Sequence, residues 1–319
     1  MIILGVYGAF DWDGNKSKTF YGDPSWTHDS GATLFVNGKH ICSASEERFT
    51  RIKYDGNYPK YSINYCLAQG NINPEDVDYV YIPGMVVRLF YEANKEGYIR
   101  TIISKKFPNA QIKIISHHLC HAASTVFSSD FNEGSFITID GSGHALLTYE
   151  NNITAVENNT IGYFNKKDNI LRLYNNHNNL NCFGKYYSFL SFKIYGKMIG
   201  QEVNMDDEWH REGMEGKVMG LCGYGKDYKF TPDDHHFKMM DDIYDEGYPY
   251  IRLKEEYDST FFGKKPEHQA YIIQKNFEQG LLTYITELKD RGYLDDNLCL
   301  AGGTFLNVLG NSVLKKSGL

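Results

Sequence analysis

The feature that most limits the possible folds is a set of three short apolar segments joined by turns, which occurs twice about 135 residues apart. Apolar runs separated by a turn such as Asn37-Gly38 are typical of antiparallel strands. The copies occupy residues 2–7, 31–36 and 40–45, and then residues 136–139, 145–149 and 153–157. Such a duplication predicts two similar α/β lobes, with the cleft between them as the default ligand site.

We place the lobes at residues 1–130 and 131–319, with an irregular insertion at about residues 227–265. The spacing of apolar residues predicts helices around the strands. These helices are expected at residues 61–69, 85–105, 184–195, 212–221, 267–291 and 305–314, and further strands at residues 77–82, 112–115 and 297–300.

Composition narrows the class of protein. Of the 319 residues, 42% are hydrophobic and 23% are charged, which is typical of a globular protein and argues against disorder. The net charge of −7 argues against broad binding of polyanions, although it allows a local basic site. The six cysteines form no C-x-x-C pair, and no secretory or membrane-spanning segment is evident, so we expect a reduced, cytoplasmic protein without membrane contact.

A histidine pair follows the predicted strand at residues 112–115. His117 and His121 stand four apart, so a helix starting here places both imidazoles on one face, where they can share a metal ion. Asp140 ends the predicted strand at residues 136–139, beside a glycine turn. His117, His121 and Asp140 are therefore candidate ligands of a divalent metal with open positions. A lone histidine pair on a helix is weak support by itself.

Glycine-rich turns suggest where a nucleotide binds, because glycine lets backbone N–H groups approach a phosphate closely. One turn carries Gly141, Ser142 and Gly143; another joins a strand to a helix through Gly302 and Gly303, close to Asn307. Lys217 lies between glycines and is a candidate phosphate contact. The simpler alternatives are tight turns for the glycine pairs and a solvated lysine in a connector.

Four further residues are candidates for catalysis. His28 beside Asp29 is suited to acid–base chemistry, although a capping aspartate with an exposed histidine fits the spacing equally well. Arg51 and Lys53 can grip an anion such as a carbamoyl or phosphate group, or simply belong to a solvated loop. We expect His118 to pack or cap, Cys120 to point away from the metal, and the pair at residues 235–236 to lie at the surface.

Taken in order, six motifs resemble the O-carbamoyltransferases of the nodulation-factor and antibiotic carbamoyltransferase type. The resemblance covers residues 1–319. The motifs are T-H-D-S-G-A at residues 27–32, E-E-R-F-T-R-I-K at residues 46–53, H-H-L-C-H-A-A-S at residues 117–124, D-G-S-G at residues 140–143, E-G-K-V-M-G-L at residues 215–221 and A-G-G-T-F-L-N at residues 301–307.

The resemblance implies an actin-like (ASKHA, ribonuclease-H-like) fold of duplicated lobes with a central cleft, shared with the tRNA threonylcarbamoyladenosine transferase. In such proteins the H-x-x-x-H pair and the D-G-x-G aspartate hold a metal, usually iron, which carries over onto His117, His121 and Asp140. Carbamoyl-adenylate, made from carbamoyl phosphate and ATP by a YrdC-like domain, is then the donor to an acceptor hydroxyl.

Two departures qualify the resemblance. The family shows A-P-Y-G after M-G-L, where this sequence has C-G-Y-G at residues 222–225. The P-x-x-G-D-x-G stretch, whose aspartate is a fourth metal ligand in relatives, and the YrdC-like domain are absent from residues 1–319. We therefore expect the chain alone to make no carbamoyl-adenylate and to bind metal weakly, and we expect a YrdC-like domain or chain as partner.

The predicted function is an O-carbamoyltransferase domain that acts on a hydroxyl of a small molecule, sugar or nucleoside. Its cofactors are a divalent metal, with iron favoured over zinc or manganese, and ATP or carbamoyl-adenylate. The alternatives are a non-catalytic, nucleotide- and metal-binding subunit of a split carbamoyltransferase, or an actin-like sugar kinase. The sequence leaves the acceptor and a homodimer open.

Overall fold

The computed structural model divides into two compact units. The first comprises Met1–His117 with Thr148–Ile153, and most of the remaining chain forms the second, so the division falls at the first turn of a helix. The structure describes residues 1–8, 28–84, 95–141, 145–149, 152–177, 183–200, 213–241, 249–253 and 259–319.

The first unit is built on a five-stranded sheet in the order β3-β2-β1-β4-β5. Its strands are β1 (Ile2–Tyr7), β2 (Gly31–Val36), β3 (Lys39–Ser45), β4 (Tyr79–Pro83) and β5 (Gln111–Ile115). Strands β1, β2 and β3 pair antiparallel, whereas β4 and β5 continue parallel to β1. The first two strands have the predicted bounds.

Helices of the first unit are α1 (Glu47–Thr50), α2 (Lys60–Gly70) and α3 (Lys95–Lys106). The first ten residues of the helix predicted at residues 85–105 lie outside the described residues, and α1 was not predicted. Leu4, Leu34, Ile63 and Ile103 are fully buried in one cluster, so strands and helices share a single core.

The second unit repeats this topology. Its main sheet has the order β10-β9-β6-β13, with β6 (Glu133–Ile139), β9 (Asn159–Asn165), β10 (Ile170–His177) and β13 (Leu298–Ala301). Strands β6, β9 and β10 pair antiparallel, and β13 is parallel to β6, as β4 is to β1. The predicted duplication is therefore present in the strand order.

The strands that form the repeat differ from those predicted. Strands β7 (Ala145–Tyr149) and β8 (Asn152–Val156) exist, but they pair in a separate two-stranded sheet. In the main sheet β9 pairs with β6, and β10 pairs with β9. The segment predicted to be irregular contains an antiparallel pair, β11 (Phe237–Asp241) with β12 (Pro249–Leu253).

Helices flank the main sheet of the second unit. They are α4 (His117–Ser128), α5 (Phe183–Ile199), α6 (Met214–Leu221), α7 (Ser259–Gly263), α8 (Pro266–Asp290) and α9 (Val308–Ser317). Ile137 and Ile139 of β6 belong to the cluster that includes α5 and α8, whereas Phe136 packs with Ala122 and Val126 of α4. Because side chains alternate along a strand, α4 covers one face of the sheet and α5 and α8 the other.

The expectation that both histidines at residues 235–236 lie at the surface is wrong for His236. This side chain is 4% exposed, and its Nδ1 lies 2.9 Å from the hydroxyl of Tyr186. Its backbone N–H donates to the side chain of Asn276 on α8 at 2.7 Å. A short 3-10 turn ends two residues earlier and turns the chain inward, a feature that adjacent histidines do not reveal.

None of the helices in the described part of the chain combines the length and hydropathy that crossing a membrane requires.

Candidate metal centre

Helix α4 positions the two histidines. His118, Ala122 and Val126 are buried at a spacing of four and pack towards the sheet, which fixes the rotation of the helix about its axis. His117 and His121 each precede one of these buried residues, so they share a neighbouring face. Both are only partly buried. The predicted packing role of His118 agrees with its complete burial.

Strand β6 positions the carboxylate. Phe136 lies on the α4 face of the sheet, and the alternation of side chains carries this face through Thr138 to Asp140. The N–H of Asp140 donates to the carbonyl of Asn158 at 2.8 Å, and its carboxylate accepts from the N–H of Gly141 at 2.7 Å. These bonds fix the side chain at the strand end.

The structure brings the three predicted metal ligands together. One donor atom each from His117, His121 and Asp140 lie within 4.8 Å of one another, and the side chains are partly buried. His121 Nε2 lies 3.0 Å from Asp140 Oδ2. Their identity as metal ligands stays a prediction.

The donor set fits the implied metal. Two imidazoles and one carboxylate suit iron, zinc or manganese and leave positions for a substrate. Ligands of one such ion, each about 2.0–2.2 Å from it, lie roughly 3–4 Å apart. Small side-chain rotations therefore suffice to gather atoms now within 4.8 Å. Cys120 is outside this group. Burial is the main cause that raises the pKa of its thiol to about 12, and the nearby Glu157 carboxylate adds to it.

Glycines bring backbone close to Asp140 from two directions. A Cβ on Gly303 would lie 2.8 Å from Asp140 Oδ1, and one on Gly302, whose φ is +94°, would lie 2.3 Å from the carbonyl oxygen of Ile139. From helix α5, a Cβ on Gly184 would lie 2.6 Å from the nitrogen of Gly141. Only glycine fits these positions without a shift, so the loop after β13 and the start of α5 both pack against the Asp140 turn.

The other glycine turn is only partly described. A Cβ added to Gly141 would meet no atom of the described residues within 4 Å. Ser142 and Gly143, which the sequence predicts to bind nucleotide, lie outside the described residues.

Lys217 and Asn307 both contact protein groups. The ammonium of Lys217 donates to the hydroxyl of Tyr195 at 3.1 Å and lies 4.5 Å from the centre of that ring, while the residue stays exposed. Asn307 is 8% exposed; its oxygen accepts from Gly310 N–H and its amide donates to Gln274. Asn307 thus caps α9, and any nucleotide role would have to be shared with this cap.

The candidate catalytic residues lie in the first unit. His28 Nδ1 lies 2.8 Å from Asp29 Oδ2, and both side chains are about half exposed. Arg51 and Lys53 are exposed, and the ammonium of Lys53 lies 4.8 Å from the centre of the Tyr54 ring. His28 and Asp29 are thus in contact, Arg51 and Lys53 face solvent, and the catalytic roles of all four stay a prediction.

Arg51 and Lys53 lie on a loop that two buried acidic side chains, Glu46 and Asp55, hold in place. Glu46 is 2% exposed and accepts from the N–H groups of Tyr61 and Ser62 at the start of α2, at 3.0 and 2.8 Å. Asp55 is 3% exposed, and its carboxylate accepts from the hydroxyl of Thr50 at 2.6 Å. Sequence analysis gave these acids no separate role.

Sequence analysis also missed residues next to the candidate metal ligands. Glu157, Asn158 and Thr160 hydrogen-bond to the elements that carry the ligands, and Gly184 packs on the Asp140 turn. The sequence predicts Glu157 only as the last residue of a strand and Gly184 only as the first residue of a helix. A buried carboxylate has no sequence signature, so only its partners identify it.

The family profile described as carbamoyltransferase N-terminus matches residues 21–106 and 88–319, which is most of the chain. The chain belongs to this carbamoyltransferase family. The predicted family resemblance is thus confirmed.

Two curated relatives of this carbamoyltransferase domain illustrate the match. An uncharacterized protein of Synechocystis sp., sll1178, is 25% identical over 93% of the chain and 52% of its own length. The nodulation protein NolNO of Sinorhizobium fredii is 26% identical over 77% of the chain and 34% of its own length. The chain spans about half or less of the length of these relatives.

A solved structure supports the fold. The HypF protein of T. kodakarensis aligns with 98% of the chain and 43% of its own length, at a TM-score of 0.50 and 14% identity. With the repeated strand order, this similarity confirms the predicted α/β, actin-like fold class.

Proposed function

We propose that this chain is the acceptor-side domain of an O-carbamoyltransferase, which moves a carbamoyl group from carbamoyl-adenylate to a hydroxyl of a small molecule, sugar or nucleoside. The observation that carries the proposal is the grouping of His117, His121 and Asp140 within 4.8 Å in a chain of the carbamoyltransferase family. A plain structural role would not require two imidazoles and a carboxylate to converge at partly exposed positions.

His117, His121 and Asp140 would hold a divalent metal, for which we keep iron as the first candidate. When bound, such an ion supplies positive charge that stabilises the phosphate of the adenylate as it leaves. The protein's own contribution is to keep the carboxylate in place, through the Gly141 N–H and the close packing of Gly303. A glycine at position 141 would let the phosphate of the nucleotide approach the backbone closely.

His28 is the proposed base. Its contact with Asp29 orients the imidazole, as a carboxylate does for a histidine that accepts a proton. In the transfer, the acceptor oxygen bonds to the carbamoyl carbon, the bond from this carbon to the phosphate oxygen of AMP breaks, and the hydroxyl proton passes to His28. Arg51 and Lys53 are exposed and carry charge suited to an anionic part of the donor or acceptor.

Carbamoyl-adenylate requires a source, so a YrdC-like domain or chain that joins carbamoyl phosphate to ATP is the proposed partner. The cysteine pattern supports a cytoplasmic location. The acceptor hydroxyl and a homodimer stay open in this proposal.

The test is a transfer assay in two arms, with and without a YrdC-like protein. The purified chain is stripped with chelator, supplied with Fe²⁺, Zn²⁺ or Mn²⁺, and incubated with carbamoyl phosphate, ATP and a library of hydroxyl compounds. Mass spectrometry then detects products heavier by one carbamoyl group. His121→Ala removes a proposed ligand, and His235→Ala is the matched control, because His235 is an exposed histidine outside the three-residue group.

We expect carbamoylated product in the arm with the YrdC-like protein, lost in His121→Ala and retained in His235→Ala. Binding of metal and nucleotide without transfer in either arm would favour the non-catalytic subunit. Transfer of the ATP γ-phosphate to a sugar with Mg²⁺ alone would favour the kinase. Equal products from both histidine variants would contradict the proposed role of the metal group.

A further inference from the structure

The chain that leaves β8 and enters β9 is buried at residues 157–160, although these four residues are all polar. Glu157, Asn158, Asn159 and Thr160 are 1%, 0%, 6% and 0% exposed. Polar side chains are buried at a cost that hydrogen bonds must offset, so such a segment has partners that define its role. We call residues 157–160 the ENNT segment.

The ENNT segment contacts the helix that carries both histidines. The carboxylate of Glu157 accepts from the backbone N–H of His118 at 3.1 Å, in the first turn of α4. N–H groups in a first helical turn have no partner within the helix and favour a nearby negative charge. Thr160 Oγ1 lies 2.7 Å from Nδ1 of the fully buried His118. Two bonds therefore fix the backbone and the ring of the residue that follows His117.

The same segment holds the Asp140 turn. The carbonyl of Asn158 accepts from the N–H of Asp140 at 2.8 Å, and its side-chain amide donates to the carbonyl of Gly141 at 3.1 Å. Consecutive residues of one chain thus contact both elements that supply the candidate ligands.

We infer that the ENNT segment sets the spacing between His117 and His121 on one side and Asp140 on the other, with Glu157 as its main positioning residue. This inference rests on the proposed metal centre. Residues that orient metal ligands typically change metal affinity 10- to 100-fold when removed. Glu157 acts through the N–H of His118, so an acceptor oxygen is what the position needs.

The experiment measures metal affinity of the full chain with Zn²⁺ as the probe, by competition with a chromophoric chelator. The visible absorption of bound Co²⁺ reports the geometry of the ligands. The variants are Glu157→Ala, which removes the acceptor, and Glu157→Gln, which keeps an oxygen of similar reach. Amide hydrogen exchange of the metal-free protein reports the first turn of α4.

Glu46→Ala is the matched control. Glu46 is another buried glutamate of the first unit, and it accepts backbone N–H groups at the start of α2. Its removal is expected to lower stability, as removal of Glu157 does, without changing metal affinity. A general loss of stability is thereby separated from a change at the metal centre.

In Glu157→Ala we expect Zn²⁺ affinity to fall at least 10-fold, the Co²⁺ spectrum to change and exchange at residues 118–121 to rise. Glu157→Gln should stay within about 3-fold of the parent. The inference would be overturned, with the metal centre intact, if His121→Ala abolished Zn²⁺ binding but Glu157→Ala bound Zn²⁺ as tightly as the parent. It would also be overturned if Glu157→Ala and Glu157→Gln lost the same Zn²⁺ affinity. If His121→Ala also bound Zn²⁺ normally, the proposed metal centre itself would fall.

Discussion

Substitution of Gly184 by alanine tests how closely helix α5 packs on the Asp140 turn. The new Cβ would lie 2.6 Å from the nitrogen of Gly141, 2.8 Å from the carbonyl carbon of Asp140 and 2.9 Å from the Cα of Gly141, where ordinary contact begins at 3.4 Å. The overlap therefore reaches about 0.8 Å, and all three atoms are backbone, which cannot rotate away. Either the start of α5 or the turn carrying Asp140 must move.

The expected magnitude follows from two opposing effects. Alanine in place of glycine favours a helix by up to about 1 kcal/mol, whereas overpacking of a fixed site costs about 1–3 kcal/mol. With the full helix gain subtracted, the net loss reaches about 2 kcal/mol, and each kcal/mol lowers Tm by about 2–4 °C. A shift beyond about 0.5 Å also exceeds the tolerance of a metal site, so we expect Zn²⁺ affinity to fall about 10-fold.

The matched control lies in the same turn. Gly141→Ala adds a Cβ that meets no atom of the described part of the chain within 4 Å, so Tm and Zn²⁺ affinity should stay near the parent values. ATP or AMP affinity should fall in this variant if a phosphate approaches Gly141. The reasoning fails if Gly184→Ala matches the parent in thermal unfolding and chelator competition, or if both alanine variants lose metal equally.

Three further results are expected. His121→Ala should weaken Zn²⁺ binding at least 100-fold with little change in unfolding by denaturant, since the side chain is about one-third exposed; an unchanged affinity would contradict the ligand assignment. Gly216→Ala should raise the free energy of unfolding by about 0.5–1 kcal/mol, because its Cβ on α6 would meet no atom of the described residues within 4 Å; a loss of stability would contradict this reasoning. Burial alone would raise the pKa of Asp234, but hydrogen bonds from Thr231 and Tyr228 hold it below its ordinary value of 3.8. The stability that this lowered pKa supplies is present above pH 3.8 and is lost as pH falls through the pKa of folded Asp234. In urea unfolding, Asp234→Asn should therefore be less stable than the parent at pH 6, and the difference should shrink towards pH 3. A difference that does not change with pH would contradict the lowered pKa of Asp234.

The sequence predicted best where local pattern and tertiary role agree. Strands β1 and β2 have the predicted bounds, and α8 differs by one residue at each end because its apolar face repeats over 25 residues. The metal group was predictable for a similar reason. A spacing of four on a helix and a carboxylate at a strand end are local features that the fold brings together.

Strand β9 shows why the repeat was assigned to the wrong strands. Gly162 lies in its middle and reads as a break in a strand. In the fold, a Cβ there would lie 2.3 Å from the ring of Phe136 and 2.3 Å from the carbonyl of Arg172, so glycine admits the neighbouring side chain. The sequence cannot show this, because Phe136 lies 26 residues earlier and its contact depends on the register of β6 with β9.

In the charged motif at residues 46–53, some side chains hold the loop in place and others stay exposed to solvent. The sequence alone does not show which residues do which. Glu46 caps α2 from inside, and the carboxylate of Glu47 accepts from Tyr54 N–H at 3.2 Å, so both acids hold the loop. Arg51 and Lys53 remain exposed beside them. The carboxylate of Glu47 also lies 3.8 Å from the guanidinium of the exposed Arg48, which leaves Arg51 and Lys53 as the bases of this loop that we expect to attract an anion. Glu157 and Asp140 differ in the same way. The carboxylate of Glu157 accepts from a backbone N–H of α4, whereas the carboxylate of Asp140 lies beside the imidazole of His121.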